Sequence, residues 1–270
     1  MKISQSLIKS WISYQEEKLC GLQVEARYFK GLKLPKTDVQ RKGNYLEYLC
    51  TGEPDRDGNI PEPDILKSGT NKGEPTEEYQ KVISQAENFK KAMAKYEVEI
   101  LEKNFILQYG EYEGIADIIA TTNFGPNGLR LPEPANIIID IKGTGLLYDK
   151  WQEYGWYEES LQYKAAMLLQ SVHYPWLALK QWGEQMRFQY WVFSMSNRVD
   201  YEIFEILLEP DRMQKHEAWL QAFRDQLDLE NRMGWTARPS VSRCASCPLK
   251  DSCQHFMDVP RVKTIYLPNN

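Results

Sequence analysis

Apolar residues recur at helical spacing in several separate stretches of the chain. In the first stretch, Leu7, Ile8 and Trp11 fall on one helical face, and this predicts a helix over residues 4–20 with Ser4 or Ser6 as its N-cap. The same periodicity predicts further helices over residues 39–50, 77–97, 151–170 and 210–231.

Runs of β-branched and aromatic residues lie between these helices and predict strands. Their approximate limits are residues 97–109, 112–122, 135–142, 187–194 and 200–208. Ile137, Ile138 and Ile139 form an apolar run that suits a central strand buried on both faces. The order of the elements predicts an α/β core with added helices.

Residues 51–75 separate two predicted helices and are rich in Pro, Gly, Asp and Glu. A structureless connection of this length is uncommon within a compact domain. It is typical of a mobile flap or of an irregular excursion beside a functional site.

Composition narrows the class of protein. Of the 270 residues, 42% are hydrophobic and 26% are charged, which is typical of a soluble globular protein. No apolar stretch is long enough for a membrane span, and the first residues do not form a signal peptide, so a cytoplasmic location is expected. The net charge of -5 argues against indiscriminate coating of nucleic acid, but it allows a local basic groove.

Two of the predicted strands each contain a candidate catalytic acid. Asp117 lies in the sequence Gly114-Ile115-Ala116-Asp117, and Asp140 precedes Lys142 by two residues. Because side chains alternate along a strand, Asp140 and Lys142 must point to the same face. An acid and an amine are therefore held side by side, and a lysine paired with an acid without catalytic work is the alternative.

The cysteines form a second group of candidate ligands. Cys244, Cys247 and Cys253 have the spacing C-x2-C-x5-C, which lets one short loop wrap thiolates around a metal centre. Candidates for the fourth ligand are Cys20, Cys50 and His255. Four thiolates suit an iron-sulfur cluster or structural zinc, whereas a histidine ligand favours zinc. Cys50 is interpreted as a small buried hydrophobic residue on a helix.

Taken in order, these motifs resemble the RecB-like branch of the PD-(D/E)xK nucleases, in particular its iron-sulfur members. Those members include CRISPR-associated exonucleases and nuclease domains of helicase-nucleases. The matching positions are the opening helix up to Cys20, Glu47 in Gly43-Asn44-Tyr45-Leu46-Glu47, Asp117 in G-x-x-D, Asp140 and Lys142 in (D/E)-x-K, Gln162, and the cysteines 244, 247 and 253. Relatives have Q-x3-Y on the helix after the last motif, but Ala166 stands four residues after Gln162, so only Gln162 is matched.

The resemblance implies a restriction-endonuclease-like α/β fold with a mixed central sheet flanked by helices. It also implies that an iron-sulfur cluster joins an N-terminal helical part to the C-terminal segment. Residues 1–270 would form a single nuclease domain. Its parts would be a cluster-bearing part at 1–50 and 240–260, a catalytic core at 97–208, and a possible flap at 51–75.

The activity implied is a metal-dependent DNA nuclease, an exonuclease acting on DNA ends or single strands. Its catalytic residues would be Glu47, Asp117, Asp140, Lys142 and Gln162. Mg²⁺ or Mn²⁺ would be bound by Glu47, Asp117, Asp140 and the Ile141 carbonyl. A 4Fe-4S cluster would be bound by Cys20, Cys244, Cys247 and Cys253, with Zn²⁺ as the alternative.

The implied partners are DNA, further copies of the chain, and recombination or CRISPR proteins. Binding to a membrane is not expected. Two other functions stay open on the residues alone. One is a DNA-binding or assembly protein that keeps the fold without catalysis. The other is a zinc-stabilised enzyme, either a nuclease or one of unrelated chemistry.

Overall fold

A computed structural model describes residues 2–125, 128–147, 156, 165–195, 201–209, 211–245 and 247–258. The chain divides into two compact units. One unit comprises Met1–Ile3 and Lys36–His216, and the other comprises Ser4–Pro35 and Glu217–Asn270.

The helices and strands follow the predicted order closely. The strands are β1 (Ile3–Ser4), β2 (Val98–Tyr109), β3 (Tyr112–Phe124), β4 (Arg130–Thr144), β5 (Arg187–Ser194) and β6 (Tyr201–Ile206). The helices are α1 (Gln5–Gln15), α2 (Gly21–Tyr28), α3 (Asp38–Thr51), α4 (Glu77–Lys95), α5 (Ala165–Trp182), α6 (Arg212–Met233) and α7 (Val241–Ala245), and a 3-10 helix covers Gln254–Asp258.

The strands form one mixed sheet. The strand order is β1-β3-β4-β5-β6, and β2 also pairs with β3. Strand β4 runs parallel to β5, whereas the pairs β2–β3, β3–β4 and β5–β6 are antiparallel. Since a parallel pair needs a crossover connection, helix α5 falls between β4 and β5 in the chain. The predicted mixed sheet flanked by helices is confirmed.

The two faces of the central strand β4 are both buried, as the isoleucine run predicts. Ile137, Ile139 and Ile141 belong to the hydrophobic core that also contains Leu46 of α3 and Phe89 of α4. Ile138, on the opposite face, is fully buried as well. The charged residues at the end of this strand therefore lie next to a dry interior.

Differences from the predicted boundaries are mostly at element ends. Helix α3 begins with a capping box formed by Thr37 and Gln40 and ends at Gly52, whose φ of 77° suits glycine. Helix α2 was not predicted, because residues 23–34 have no clear periodicity. The predicted helix over 151–170 lies largely outside the described residues, and α5 continues past it to Trp182.

The second unit is held together by aromatic contacts and by a close approach of its two segments. The rings of Trp11 and Phe223 meet edge to face at 5.0 Å between centroids. The first residue of α2 is Gly21, where an added Cβ would lie 2.6 Å from the Thr236 carbonyl oxygen. A larger residue at this position would push the two segments apart. The predicted cluster-bearing part overlaps this unit, whereas residues 36–50 belong to the unit that contains the sheet.

The connection between α3 and α4 is irregular over most of its length. Its regular features are turns and an isolated antiparallel bridge between Ile65 and Pro75. In the described part of the chain, no helix combines the length and apolar character that crossing a membrane would require.

Candidate functional site

The site forms where β3 and β4 stop pairing. Their register ends at the pair Ile118–Ile139, and the next residues are Asp117 on β3 and Asp140 on β4. The Asp117 Oδ2 accepts a hydrogen bond from the Ile141 N–H at 2.7 Å. The carboxylate thus satisfies a buried backbone donor on the neighbouring strand β4.

Asp140 is almost completely buried, with 1% of its surface exposed. It forms an ion pair with Lys142, as their spacing on one strand predicts. Its Oδ1 also accepts a hydrogen bond from the Gln170 Nε2 of α5 at 3.0 Å. One partner on its own strand and one on α5 therefore hold Asp140 in one orientation.

Glu47 reaches the same site from α3. Its neighbour Leu46 packs so closely on β4 that a Cβ at Gly143 would lie 3.1 Å from the Leu46 Cδ2. A glycine here lets the helix approach the end of the strand. The charges of Asp140 and Lys142 both act on the Glu47 carboxylate, which places the third predicted acid within the electrostatic reach of the other two residues.

The pKa values of Asp117 and Glu47 are raised. Burial, followed by the charges of Asp140 and Glu47, raises the pKa of Asp117 well above its usual range. Burial is also the largest cause that raises the pKa of Glu47, and Asp140 adds to it. For both acids, removal from water is a larger cause than repulsion between the carboxylates.

Lys142 shows the opposite balance. Burial lowers its pKa, but the carboxylates of Asp140, Asp117 and Glu47 together outweigh burial and raise the pKa above the usual lysine value. The amine is therefore protonated at neutral pH. In this form it donates hydrogen bonds and positive charge but cannot accept a proton.

Gln170 and Tyr174 are site residues that the sequence analysis missed. They lie one turn apart on α5, and the hydrogen bond with Gln170 acts on the Tyr174 phenol, whose pKa is raised by burial and by Asp140. Gly114 makes room for the Tyr174 ring, since a Cβ there would be 2.6 Å from the ring Cε1. The signal was present, because Gln170 and Tyr174 have the Q-x3-Y spacing. The predicted residue Gln162 lies outside the described residues.

Carboxylate oxygens are the donors that Mg²⁺ and Mn²⁺ prefer. Among the residues that the structure describes, no group of three His, Cys, Asp or Glu side chains is arranged to hold a metal ion. The donor chemistry at the strand ends nevertheless fits a divalent cation. Asp117 and Glu47 are acids made costly to ionise by burial and mutual repulsion, and a cation between them would relieve both.

The predicted cluster ligands come together elsewhere, within the second unit. Cys20, Cys244, Cys247 and Cys253 all line one cavity, and His255 lines it too. None of these cysteines forms a disulfide. Cys50 belongs to the other unit, where it is partly buried against the hydrophobic core.

Two donors point at sulfur atoms of this cavity. The Gln23 Nε2 donates to the Cys247 Sγ at 3.2 Å, and the Arg238 N–H donates to the Cys20 Sγ at 3.4 Å. Donors placed in this way also hydrogen-bond to cysteine sulfur atoms that bind a metal. Four cysteines lining one cavity offer the type of donor that an iron-sulfur cluster or zinc takes, although among the described residues the side chains are not arranged to hold a metal ion.

No protein-family model matches the sequence, and a search of curated proteins finds no similar sequence. Among solved structures, the chain is similar to the crystal structure of a "putative exonuclease" from Eubacterium rectale. The two share 17% sequence identity with a TM-score of 0.56, and the match covers 99% of this chain and 91% of that chain. At this identity the similarity shows a shared fold.

Proposed function

We propose that this protein is a metal-dependent DNA nuclease that hydrolyses phosphodiester bonds. The observation that supports it best is the meeting of Asp117, Asp140 and Lys142 where β3 and β4 diverge. A protein without catalysis has no evident need to bury repelling carboxylates beside an amine. The name of the E. rectale protein with this fold points to the same class of reaction.

The residues proposed to hold Mg²⁺ or Mn²⁺ are Glu47, Asp117, Asp140 and, through its carbonyl, Ile141. Such an ion supplies positive charge for the phosphate and activates water for hydrolysis. The hydrogen bonds from Ile141 and Gln170 fix the two strand acids in advance. Fixed acids avoid the cost of reorganising charged groups during the reaction.

Lys142 is proposed to steady the negative charge that develops on the phosphate and to orient the attacking water. Its ion pair with Asp140 favours these two roles, since an ammonium group donates hydrogen bonds and positive charge. Tyr174 and Gln170 are proposed to hold Asp140 against the strand. Gly114 leaves space for the Tyr174 ring. This glycine on β3 therefore allows α5 to pack close to the strand.

For the cysteine cavity we propose a 4Fe-4S cluster held by Cys20, Cys244, Cys247 and Cys253, with zinc as the alternative metal. The group would join the start of α2 to the segment after α6, and its role would be structural. No residue in the described part of the chain assigns it a redox role.

The proposed substrate is DNA with ends or single strands. A DNA-binding or assembly protein of the same fold is the competing function, and cleavage separates the two. The test is incubation of purified protein with Mg²⁺ or Mn²⁺ and either end-labelled or circular single-stranded DNA. Degradation of linear but not circular strands is expected for an exonuclease.

The specific variant for this test is Lys142→Ala, and its matched control is Lys72→Ala, which removes an exposed amine from the loop before α4. Lys142→Ala should lose cleavage by a factor on the order of 10²–10³, the effect of removing one group that stabilises developing charge. Lys72→Ala should cleave like the wild type. Full activity in Lys142→Ala would refute the assignment.

A further inference from the structure

The turn that follows α3 is built around one carboxylate. The Asp55 Oδ1 accepts the N–H groups of Asp57 at 2.9 Å and of Asn59 at 3.0 Å. The Asp55 N–H in turn donates to the Asn59 carbonyl at 2.9 Å. These bonds close a compact turn in which Arg56 is the second residue, so the backbone of Arg56 is fixed.

This turn is tied to the helix that contains Glu47. Lys36 forms an ion pair with Asp55. With the Asn44 amide oriented so that its oxygen faces Lys36, that oxygen accepts a hydrogen bond from the Lys36 Nζ at 3.1 Å. Asn44 precedes Glu47 by three residues on α3, which is about one helical turn. One ammonium group therefore links the turn that contains Arg56 to the stretch of α3 that contains Glu47.

The turn is also attached on its other side. The Asn104 Nδ2 of β2 donates to the Pro54 carbonyl at 3.4 Å. Arg56 follows this anchored segment directly. Its side chain is exposed, and among the described residues it has no ion-pair partner. It is thus a solvent-facing cation on a fixed backbone.

The electrostatic effect of Arg56 reaches the candidate site. Its charge acts to lower the pKa of Glu47 and that of Tyr174. Lys142 is already engaged by Asp140. Arg56, in contrast, is exposed and has no ion-pair partner among the described residues, so its guanidinium group is open to a ligand arriving from solvent.

We infer that Arg56 binds a phosphate of the DNA strand and positions that strand against Glu47 and Asp140. The inference rests on the proposed function and deepens it, because it assigns a substrate contact to a residue outside the catalytic set. A guanidinium group matches a phosphate through two parallel hydrogen bonds, whereas an ammonium group offers only a point charge. Replacing Arg56 should therefore weaken DNA binding more than replacing an exposed lysine does.

The test compares Arg56→Ala, Arg56→Lys and Lys67→Ala. Lys67 is an exposed cation in the same connection between α3 and α4, so Lys67→Ala is the charge-matched control. Binding of a fluorescent single-stranded oligonucleotide is measured in EDTA, where metal-dependent cleavage is prevented. Cleavage is measured separately with Mg²⁺ or Mn²⁺.

Arg56→Ala should weaken binding by a factor on the order of 10–100, the range for a hydrogen bond to a charged group. The slope of the logarithm of its binding constant against the logarithm of salt concentration should become shallower by about 0.7, the amount expected when one phosphate contact to a single strand is lost. In cleavage, KM should rise more than kcat falls, because the contact exists before the transition state. Arg56→Lys should recover part of the affinity, and Lys67→Ala should match the wild type.

Two results would overturn the inference. One is wild-type affinity in Arg56→Ala, and the other is an equal loss in Lys67→Ala, which would mean diffuse attraction without a specific contact. Failure of the proposed function would give a different result. If the wild type binds DNA through Arg56 but does not cleave it, the nuclease proposal is refuted and the Arg56 contact is kept. If the wild type does not bind DNA, both proposals are refuted.

Discussion

The carboxylate of Asp117 accepts the backbone N–H of Ile141 at 2.7 Å, across the gap where β3 and β4 cease to pair. A side chain therefore completes the sheet's hydrogen bonding where the backbone does not. The same carboxylate is one of the proposed metal ligands. The hydrogen bond from Ile141 and the proposed metal ion both need oxygens of this carboxylate, and the effect of each can be measured separately.

Replacing Asp117 separates its two roles. In Asp117→Asn the amide oxygen can still accept the Ile141 N–H, but the buried negative charge is removed, so the metal-free variant should melt at a higher temperature than the wild type at neutral pH. Asp117→Ala leaves the Ile141 N–H without an acceptor and should cost about 1–3 kcal/mol. Both variants should lose cleavage. Thermal melts in EDTA provide the comparison, and a less stable Asn variant would contradict it.

The raised pKa of Asp117 also fixes the direction of a pH effect. Because its folded-state pKa lies above its unfolded value, protonation favours the folded state. This contribution to stability should therefore grow as pH falls through the folded pKa towards the unfolded one. The difference in unfolding free energy between wild type and Asp117→Asn should shrink over that range. Denaturant unfolding at a series of pH values measures it, and a constant difference would be the contrary result.

A divalent cation should stabilise the wild type. Since it would relieve repulsion among Glu47, Asp117 and Asp140 and bind only the folded chain, Mg²⁺ or Mn²⁺ should raise the melting temperature as its concentration increases. The shift should be absent in Asp117→Asn. Melting curves in EDTA and in increasing Mn²⁺ test this, and an equal shift in both proteins would place the bound ion elsewhere.

Much of the sheet could be predicted because its strands are marked by short-range patterns. The run Ile137 to Ile139 identifies β4, and alternation places Asp140 and Lys142 on one face. The point where β3 leaves β4 was not predictable, since it depends on the register between strands distant in sequence. Helix α2 was missed for a local reason, because its periodicity is weak.

The site shows the same division. The pairing of Asp140 with Lys142 follows from a spacing of two residues. The Q-x3-Y spacing distinguishes Gln170 from Gln162 in the sequence. Its contact with Asp140 depends on how α5 packs against the sheet, which the spacing alone does not specify.

Gly114 is expected to be sensitive to the smallest enlargement. In Gly114→Ala the new Cβ would meet the Tyr174 ring at 2.6 Å, so α5 or the ring must shift and Gln170 should move away from Asp140. Overpacking of this kind costs roughly 1–3 kcal/mol, and kcat should fall with it. Melting temperature and cleavage rate are the measurements.

The matched control is Gly43→Ala on α3. Nothing lies within 4 Å of its added Cβ, and alanine favours a helix over glycine by roughly 0.5–1 kcal/mol. This variant should be at least as stable as the wild type and equally active. If Gly114→Ala behaved in the same way, the close packing of Tyr174 on β3 would not matter for the site.

A buried pair of histidines predicts acid sensitivity. The His173 Nδ1 lies 3.1 Å from the His216 Nε2, and burial with the charge of His216 lowers the pKa of His173 to about 3. The folded state disfavours the protonated ring. The contribution of neutral His173 to the free energy of unfolding is therefore fully present above the unfolded pKa, and it is lost as pH falls from there towards about 3. Urea midpoints should therefore drop on acidification.

The variant His173→Asn tests that origin. Its short amide can take the place of the Nδ1 opposite His216, but it does not titrate. The variant should be less stable at neutral pH, because the smaller side chain leaves a cavity. Its urea midpoint should nevertheless fall less steeply with acid than that of the wild type. Parallel pH profiles would assign the acid sensitivity to other groups.

The cysteine cavity gives a prediction with a natural control in the same chain. Cys247→Ala removes one of the four sulfur atoms that line the cavity and the acceptor of the Gln23 hydrogen bond. It should lose bound iron and its brown colour, and its melting temperature should fall because a metal bound only by the folded state stabilises that state. Cys50→Ala, whose thiol lies in the other unit, should keep its iron.

Elemental analysis of anaerobically purified protein decides which metal is present. Iron with inorganic sulfide in the wild type and in Cys50→Ala, but not in Cys247→Ala, is the expected result for a cluster. Zinc in place of iron would support the alternative, because four thiolates also suit tetrahedral zinc. Equal metal content in both variants would mean that Cys247 is not a ligand, whereas no metal in the wild type would leave the cavity as a group of reduced thiols.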